Sequence, residues 1–175
     1  GWNLVFSETF DTPASLERFS FSDPSIWSWA ADDGGVMMFS EGSSYTPPYT
    51  SPRAIALVND LNLDQFVLEA SVRQTGRNYA HRDLCFFFAR TSPGRLGYVH
   101  LATKPDPSAH NIFRVFDSAR AAQAPVSDEG IDWGDSFHTI VIQRLKRGGD
   151  VDVFFGGALQ FTGPGDAWGR GQLGF

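Results

Sequence analysis

Apolar and polar positions alternate along this chain in short runs broken by turn formers, and no segment holds a helical period for more than about two turns. In Phe66–Arg73 (FVLEASVR), Phe66, Leu68, Ala70 and Val72 share one parity against Glu69, Ser71 and Arg73, the signature of a half-buried strand. In Asp83–Arg90 (DLCFFFAR) both parities are apolar apart from the ends, which predicts a strand that is covered on both faces or is central. The same reading places strands at Asn3–Glu8, Ser25–Ala30, Gly35–Phe39, Arg53–Ala56, Tyr98–Thr103, Asn111–Asp117, Phe137–Lys146, Asp150–Phe155 and Ala158–Phe161. Gln172–Phe175 reads as a closing strand, or as one that the sequence cuts short. A short helix is expected over Asp11–Phe19, with Asp11 as its cap and Pro13 in its first turn. Ser118–Gln123 is a weaker helical turn stopped by Pro125.

Asp33-Gly34-Gly35, Ser92-Pro93-Gly94, Arg147-Gly148-Gly149-Asp150 and Gly156-Gly157 are tight reversals, and the middle strands follow one another at hairpin spacing. Parallel strands would need longer crossovers, so the sheets are antiparallel. The expected fold is all-β: a two-sheet antiparallel jelly-roll sandwich in one domain over residues 1–175.

Composition sharpens this picture. Aromatic residues are 14% of the 175, with 16 Phe, and aromatic rings suit a pleated, half-buried surface. The formal net charge of −6 argues against a nucleic-acid partner, which needs a basic surface to displace counterions. No run approaches the roughly 18 apolar residues of a membrane span. Cys85 stands alone, so an intrachain disulfide and a multi-cysteine zinc site are both ruled out.

Candidate chemistry follows from strand parity. If consecutive hairpins align, one sheet face gathers Glu69, Ser71, Arg73, Tyr98, His100 and Arg114, with Tyr79, His81, Arg82 and Asp83 in a loop beside it. Arginine and carboxylate forks read hydroxyls, and aromatic rings take the apolar face of a pyranose, so that mixture suits a sugar. Any single Glu or Arg there also fits an ordinary solvated face. His100, in a Tyr-x-His strand, and Arg114, set between phenylalanines with no carboxylate beside it, fit that reading less well. His100 is the first candidate for acid–base work, because an imidazole titrates near neutrality, and Glu69 and Asp83 are the second. Trp133 and Trp168, in Gly/Asp loops, are candidate stacking platforms. No cofactor is expected beyond a structural Ca²⁺, for which Glu8 and Asp11 would offer hard oxygen ligands. No Gly-x-Ser-x-Gly motif and no Glu-x-Asp-x-x-Glu strand occurs, and Cys85 sits in an apolar strand that disfavours a thiolate.

The second half carries a resemblance. Phe137-His-Thr-Ile-Val-Ile-Gln-Arg144, a Gly-Gly turn, Val151-Asp-Val-Phe-Phe-Gly-Gly157 and Trp168-Gly-Arg-Gly-Gln-Leu-Gly-Phe175 resemble the closing strands of the concanavalin A-like lectin and glucanase superfamily. Laminin-G-like and 3-keto-disaccharide hydrolase-like domains show that order. The opening Leu4-Val-Phe-Ser-Glu-Thr-Phe-Asp11 fits the same pattern. In the hydrolase-like domains two strands line the sugar cleft, and Arg90, Gly97 and Tyr98 match them, while that family's Asn-Ser-Gly, Glu and Gln are absent here. Tyr98-Val-His-Leu-Ala102 and His110-Asn-Ile-Phe113 are similar to segments of secreted bacterial proteins with this fold.

The resemblance implies a carbohydrate-active, glycoside hydrolase-like protein that binds an oligosaccharide or polysaccharide on the concave sheet face. Tyr79, His81, Arg82, Arg90, Tyr98 and Arg114 would be its ligand contacts. The alternative is a non-catalytic carbohydrate-binding or adhesion module, and a third reading is a partner-binding domain with its sheet face filled by its own side chains. A deep cleft with a carboxylate of raised pKa near His100 marks the enzyme, and a shallow aromatic surface marks the module. Readers of glycans of this composition work outside the cytoplasm, so an extracellular or periplasmic place is expected, with any signal peptide lying outside this sequence.

Overall fold

In the computed structural model every residue is described except Ala167 and the side chain of Asp33, and the alternating segments pair as antiparallel strands. In chain order they are β1 (Phe19–Phe21), β2 (Trp27–Ala30), β3 (Val36–Phe39), β4 (Ala56–Leu63), β5 (Phe66–Val72), β6 (Asp83–Ser92) and β7 (Arg95–Ala102). After these come β8 (Asn111–Phe116), β9 (Ala121–Ala122), β10 (His138–Arg144), β11 (Val151–Phe155), β12 (Ala158–Gly163) and β13 (Gly171–Gly174). A seven-stranded sheet has the order β1-β4-β13-β6-β7-β8-β9 and a four-stranded sheet the order β12-β11-β10-β5, with β2 and β3 forming a separate hairpin. This is the all-β antiparallel sandwich the sequence predicts.

The layer between the two larger sheets is the main core. Phe86, Phe88, Val99, Leu101 and Ile112 enter it from one side, and Phe66, Ile140, Ile142, Val151 and Val153 from the other. Each such side chain contributes about 1.5–3 kcal/mol by leaving water. Arg144, 1% exposed, is tolerated here because its guanidinium donates to the Gly165, Trp168 and Gly169 carbonyls and lies 3.3 Å from Asp64.

Several elements differ from the sequence reading. Asn3–Glu8 is not a strand: Trp2, Leu4 and Val5 are exposed, and the segment is held instead by Phe6 and Phe10, whose rings meet Phe19 at 5.8 and 5.9 Å. The expected first helix is a 3-10 turn over Pro13–Arg18 whose Thr12 cap makes no side-chain bond, and the chain turns extended at Phe19. β4 (Ala56–Leu63) shares only Ala56 with the expected Arg53–Ala56, because Asn59, Asp60 and Asn62 mask it and Asp60 at φ 57 interrupts the alternation. Ser118–Gln123 is not helical but supplies the edge strand β9.

The closing strand lies in the middle of the seven-stranded sheet, between β4 and β6. Ala56 and Phe175 exchange backbone hydrogen bonds of 2.5 and 2.9 Å, tying the end of this strand to the start of β4. Glycine is needed at both ends of β13: a Cβ on Gly171 would sit 2.3 Å from the Ala89 carbonyl carbon, and one on Gly174 would sit 2.1 Å from the Ala56 oxygen.

A second cluster lies on the outer face of the seven-stranded sheet. Leu57, Phe87, Leu96, Tyr98, Phe113 and Val115 gather there with Ile55, and Tyr45 and Tyr49 fold over them from the segment between β3 and β4. That cover is what separates the closed from the open parts of the sheet.

Candidate functional site

Register decides which candidate residues meet. Tyr98 pairs with Phe87 on one side and Phe113 on the other, Cys85 pairs with His100, and Gly97 pairs with Arg114. Asp83, Cys85, Phe87, Tyr98, His100 and Phe113 therefore share the outer face, and Arg114 leaves the opposite one. The expected union of Tyr98, His100 and Arg114 in one hollow is not formed.

On the outer face, His100 Nε2 lies 3.0 Å from Asp83 Oδ2, with the two side chains 12% and 22% exposed. This pair is the part of the expected site that the structure does bring together. Tyr98 is fully buried, so it cannot meet a ligand as expected. Its ring stacks on Phe113 at 5.3 Å, and its hydroxyl accepts an N–H from Arg120 at 2.8 Å. Burial pushes the Tyr98 phenol up to about 12, against the pull of Arg120. Burial, followed by the Asp83 carboxylate, also pushes the Cys85 thiol up, away from the thiolate that nucleophilic chemistry needs.

Arg90 reaches this face through a bulge. Ala89 adopts φ 52, the β6–β7 register shifts there, and Arg90 Nη1 donates to Gln172 Oε1 at 2.9 Å. Burial lowers the Arg90 pKa, while Tyr45 acts the other way. The guanidinium thus serves the junction of β6 and β13.

Arg82, expected at the rim, is 5% exposed and is structural. It donates to the Gln74 and Gly134 carbonyls, and its own carbonyl accepts the Trp133 indole N–H at 2.7 Å. Trp133 is 1% exposed and Trp168 is 7% exposed, packed edge-on against Phe88 at 4.8 Å. Neither is the stacking platform their loop positions suggested. Tyr79 and His81 do lie at the surface: the Tyr79 hydroxyl donates to Glu41 at 3.0 Å, a bond that raises its pKa, and the two rings meet edge to face at 6.0 Å. Glu69 is exposed on β5 opposite Val141, in the other sheet, and does not join His100.

Glu8 closes a local turn. Its Oε1 accepts the Thr9 and Phe10 N–H groups and the Ser15 hydroxyl, and Oε2 lies 2.8 Å from Arg18. Burial opposes ionisation, but Phe10, Ser15 and Arg18 together hold its pKa below the usual value. Asp11 accepts from the Thr9 hydroxyl at 2.8 Å. A cation at Glu8 would have to displace the Arg18 guanidinium. Among the described residues no group of three His, Cys, Asp or Glu side chains gathers as a metal site would require.

The open surface lies at the β8–β9 flank, on the Arg114 side. Arg114, Phe116, Ser118, Ala119, Ala121 and Gln123 line a shallow depression of about 230 Å³. Phe116 is 50% exposed, with the Arg95 and Arg114 guanidiniums 4.5 and 4.7 Å from its ring centre. Arg95 is paired with Asp117, whereas Arg114 Nε is buried without a hydrogen-bond partner among the described residues. A second shallow depression, of about 290 Å³, lies in the loop from Thr46 to Arg53. Neither is bordered by His100 or Asp83. The sequence reading singled out Arg114 but missed Phe116, Arg95, Arg120 and Gln123. The pattern Phe113-Arg-Val-Phe116 held the signal, since an arginine two residues from a second aromatic shares its face on a strand.

No family model matches the chain, and no curated protein matches it. Among solved structures it is similar to the carbohydrate-binding module CBM66 from Bacillus subtilis, at 13% identity and a TM-score of 0.60, over 90% of this chain and 85% of that one. At that identity the likeness speaks for architecture: the chain has a lectin-like β-sandwich fold.

Proposed function

We propose that this protein is a non-catalytic carbohydrate-binding module whose ligand lies in the β8–β9 depression. The observation that carries the reading is the match of fold to a carbohydrate-binding module over 90% of the chain. The site chemistry supports it. An exposed aromatic ring, an arginine with an unpaired N–H, a glutamine and a serine surround a shallow, open surface. Sugars are read by such side chains, and shallow sites suit segments of a polymer.

Hydrolysis is not part of the proposal. A glycosidase needs a carboxylic acid held protonated at neutral pH, which burial in an apolar pocket would supply. Among the described residues the two carboxylates with displaced acidity, Glu8 and Asp23, are both displaced downward. Membership of the concanavalin A-like superfamily belongs to the proposal too, supported by the antiparallel two-sheet order and the closing-strand motifs. So does an extracellular or periplasmic location, where polysaccharides are met.

A glycan array tests the reading. Wild type is expected to bind a subset of glycans without releasing reducing sugar, and Phe116→Ala with Gln123→Ala to abolish the signal. An array without any binding would overturn it. One observation favours a second reading, a protein-binding domain: Tyr45 and Tyr49 cover the outer sheet face, so that face is filled by the chain's own side chains.

A further inference from the structure

The β8–β9 flank is basic in an acidic protein. The chain carries a net charge of −6, yet the Arg95 and Arg114 guanidiniums meet over Phe116, while Arg120 lies over Phe113 on the opposite face, and Asp117 is the one carboxylate ion-paired with any of the three among the described residues. Arg95 is spent on Asp117, and Arg120 is held by the Tyr98 hydroxyl and lies 4.8 Å from the Phe113 ring centre. Arg114 has neither an ion pair nor a hydrogen bond among the described residues. It is held against the Phe116 ring, with its Nε shielded from water and unpaired. A buried, unsatisfied charged donor is costly, and a guanidinium held over a ring has already lost much of the rotamer freedom that binding would otherwise remove.

The Arg114 Nη groups also make no hydrogen bond among the described residues, and a neutral hydroxyl would satisfy one of their N–H donors. A carboxylate or sulfate would satisfy two in a fork and supply the missing counter-charge. We infer that the β8–β9 depression selects a glycan bearing an anionic group, a uronate carboxylate or a sulfate ester, and that Arg114 is the residue that reads it. This inference rests on the carbohydrate-binding reading and names the ligand class for the same site. The net negative charge of the protein disfavours non-specific attraction of a polyanion.

Affinity electrophoresis in gels carrying polygalacturonate, dextran sulfate or neutral dextran tests it, with double-stranded DNA as a sugar-unrelated polyanion. Wild type is expected to be retarded by at least one of the two acidic glycans at least tenfold more strongly than by dextran or DNA, and the arm that responds identifies carboxylate or sulfate. Arg114→Ala should lose about tenfold in affinity, Arg114→Lys should recover part of it, and raised salt should weaken wild type more than Arg114→Ala. Unchanged thermal melting of both variants shows that the loss is not unfolding. Equal binding of dextran and the acidic polymers, indifferent to Arg114→Ala, would overturn the anionic inference and leave the carbohydrate reading standing. Equal retardation by DNA would overturn it as bare charge attraction. Failure on every glycan, here and on the array, would overturn both.

Discussion

The two sides of β8 differ by one position in sequence and by almost everything in environment. Phe113 points to the outer face, where Tyr98, Phe87 and the Tyr45 and Tyr49 cover seal it to 1% exposure. Arg114 points the other way and lines an open depression beside half-exposed Phe116. An antiparallel register that pairs Tyr98 with Phe113 must pair Gly97 with Arg114, so a tyrosine and an arginine that look adjacent in composition are placed back to back. Aromatic residues close one side into core, and on the other the same residue type holds a charged group outward. Composition alone does not separate these two uses of phenylalanine; register does.

Substitutions probe each side. The largest expected effect is on the closed side: Phe113→Ala should cost about 3–5 kcal/mol, read by chemical denaturation, because Tyr98 and Phe87 cannot close over the lost ring. A cost under about 1 kcal/mol would mean that the outer cluster is loosely packed. Tyr98→Phe should cost about 1 kcal/mol, the typical worth of one hydrogen bond, by freeing Arg120 from its anchor.

Acidification should also act through the sealed interior. Burial, then the neighbouring His100, holds buried His110 below the ordinary imidazole value, with Asp83 acting against them. The unfolded chain therefore takes up a proton at this residue near about pH 6.5, while the folded one waits for lower pH. Its contribution is complete above that value and falls as pH drops toward the folded pKa. Thermal melts between pH 7 and 5 should decline less steeply for His110→Gln than for wild type, and equal slopes would remove His110 from the account. Asp23 adds a lower window. Hydrogen bonds from the Ser25 hydroxyl first, and then from Ser44, hold its carboxyl far below the usual range, so its stabilisation is present at neutral pH and is lost only in strong acid.

The smallest effect on stability is expected on the open side. Arg114→Ala should leave the free energy of unfolding within about 0.5 kcal/mol of wild type, while binding falls. A large loss of stability would make Arg114 part of the scaffold and erase the contrast between the two sides.

The architecture was legible in the sequence because period-two patterning and Gly-rich turns are local signals. Phe66–Val72, Asp83–Ser92 and Asn111–Phe116 follow directly from them. The expectation that Asp83–Arg90 is covered on both faces or central is met: Phe86 and Phe88 enter the inter-sheet core, Phe87 enters the outer cluster, and β6 lies between β13 and β7. β4 was hidden beyond Ala56 because its polar residues and the positive φ of Asp60 break the alternation, and β13 could not be placed because strand order is a long-range property. The site was less legible for the same reason. Parity within β7 and β8 was correct for each strand alone, but the offset between them sets which faces coincide, and a hairpin loop as long as residues 103–110 does not reveal it. The pairing of Asp83 with His100 and the use of Arg82 as a backbone staple depend on that offset and on chain folding far away in sequence. Arg114 stood out from its strand context alone.

The central claim is that a glycan settles against Arg114 and Phe116 on the open flank. Titrating ¹⁵N-labelled protein with an acidic oligosaccharide, while following backbone amide shifts, tests it most directly. Progressive, saturable shifts confined to residues 114–123 and to Arg95 are expected. Shifts centred on Asp83 and His100, or spectra indifferent to every saccharide added, would contradict it.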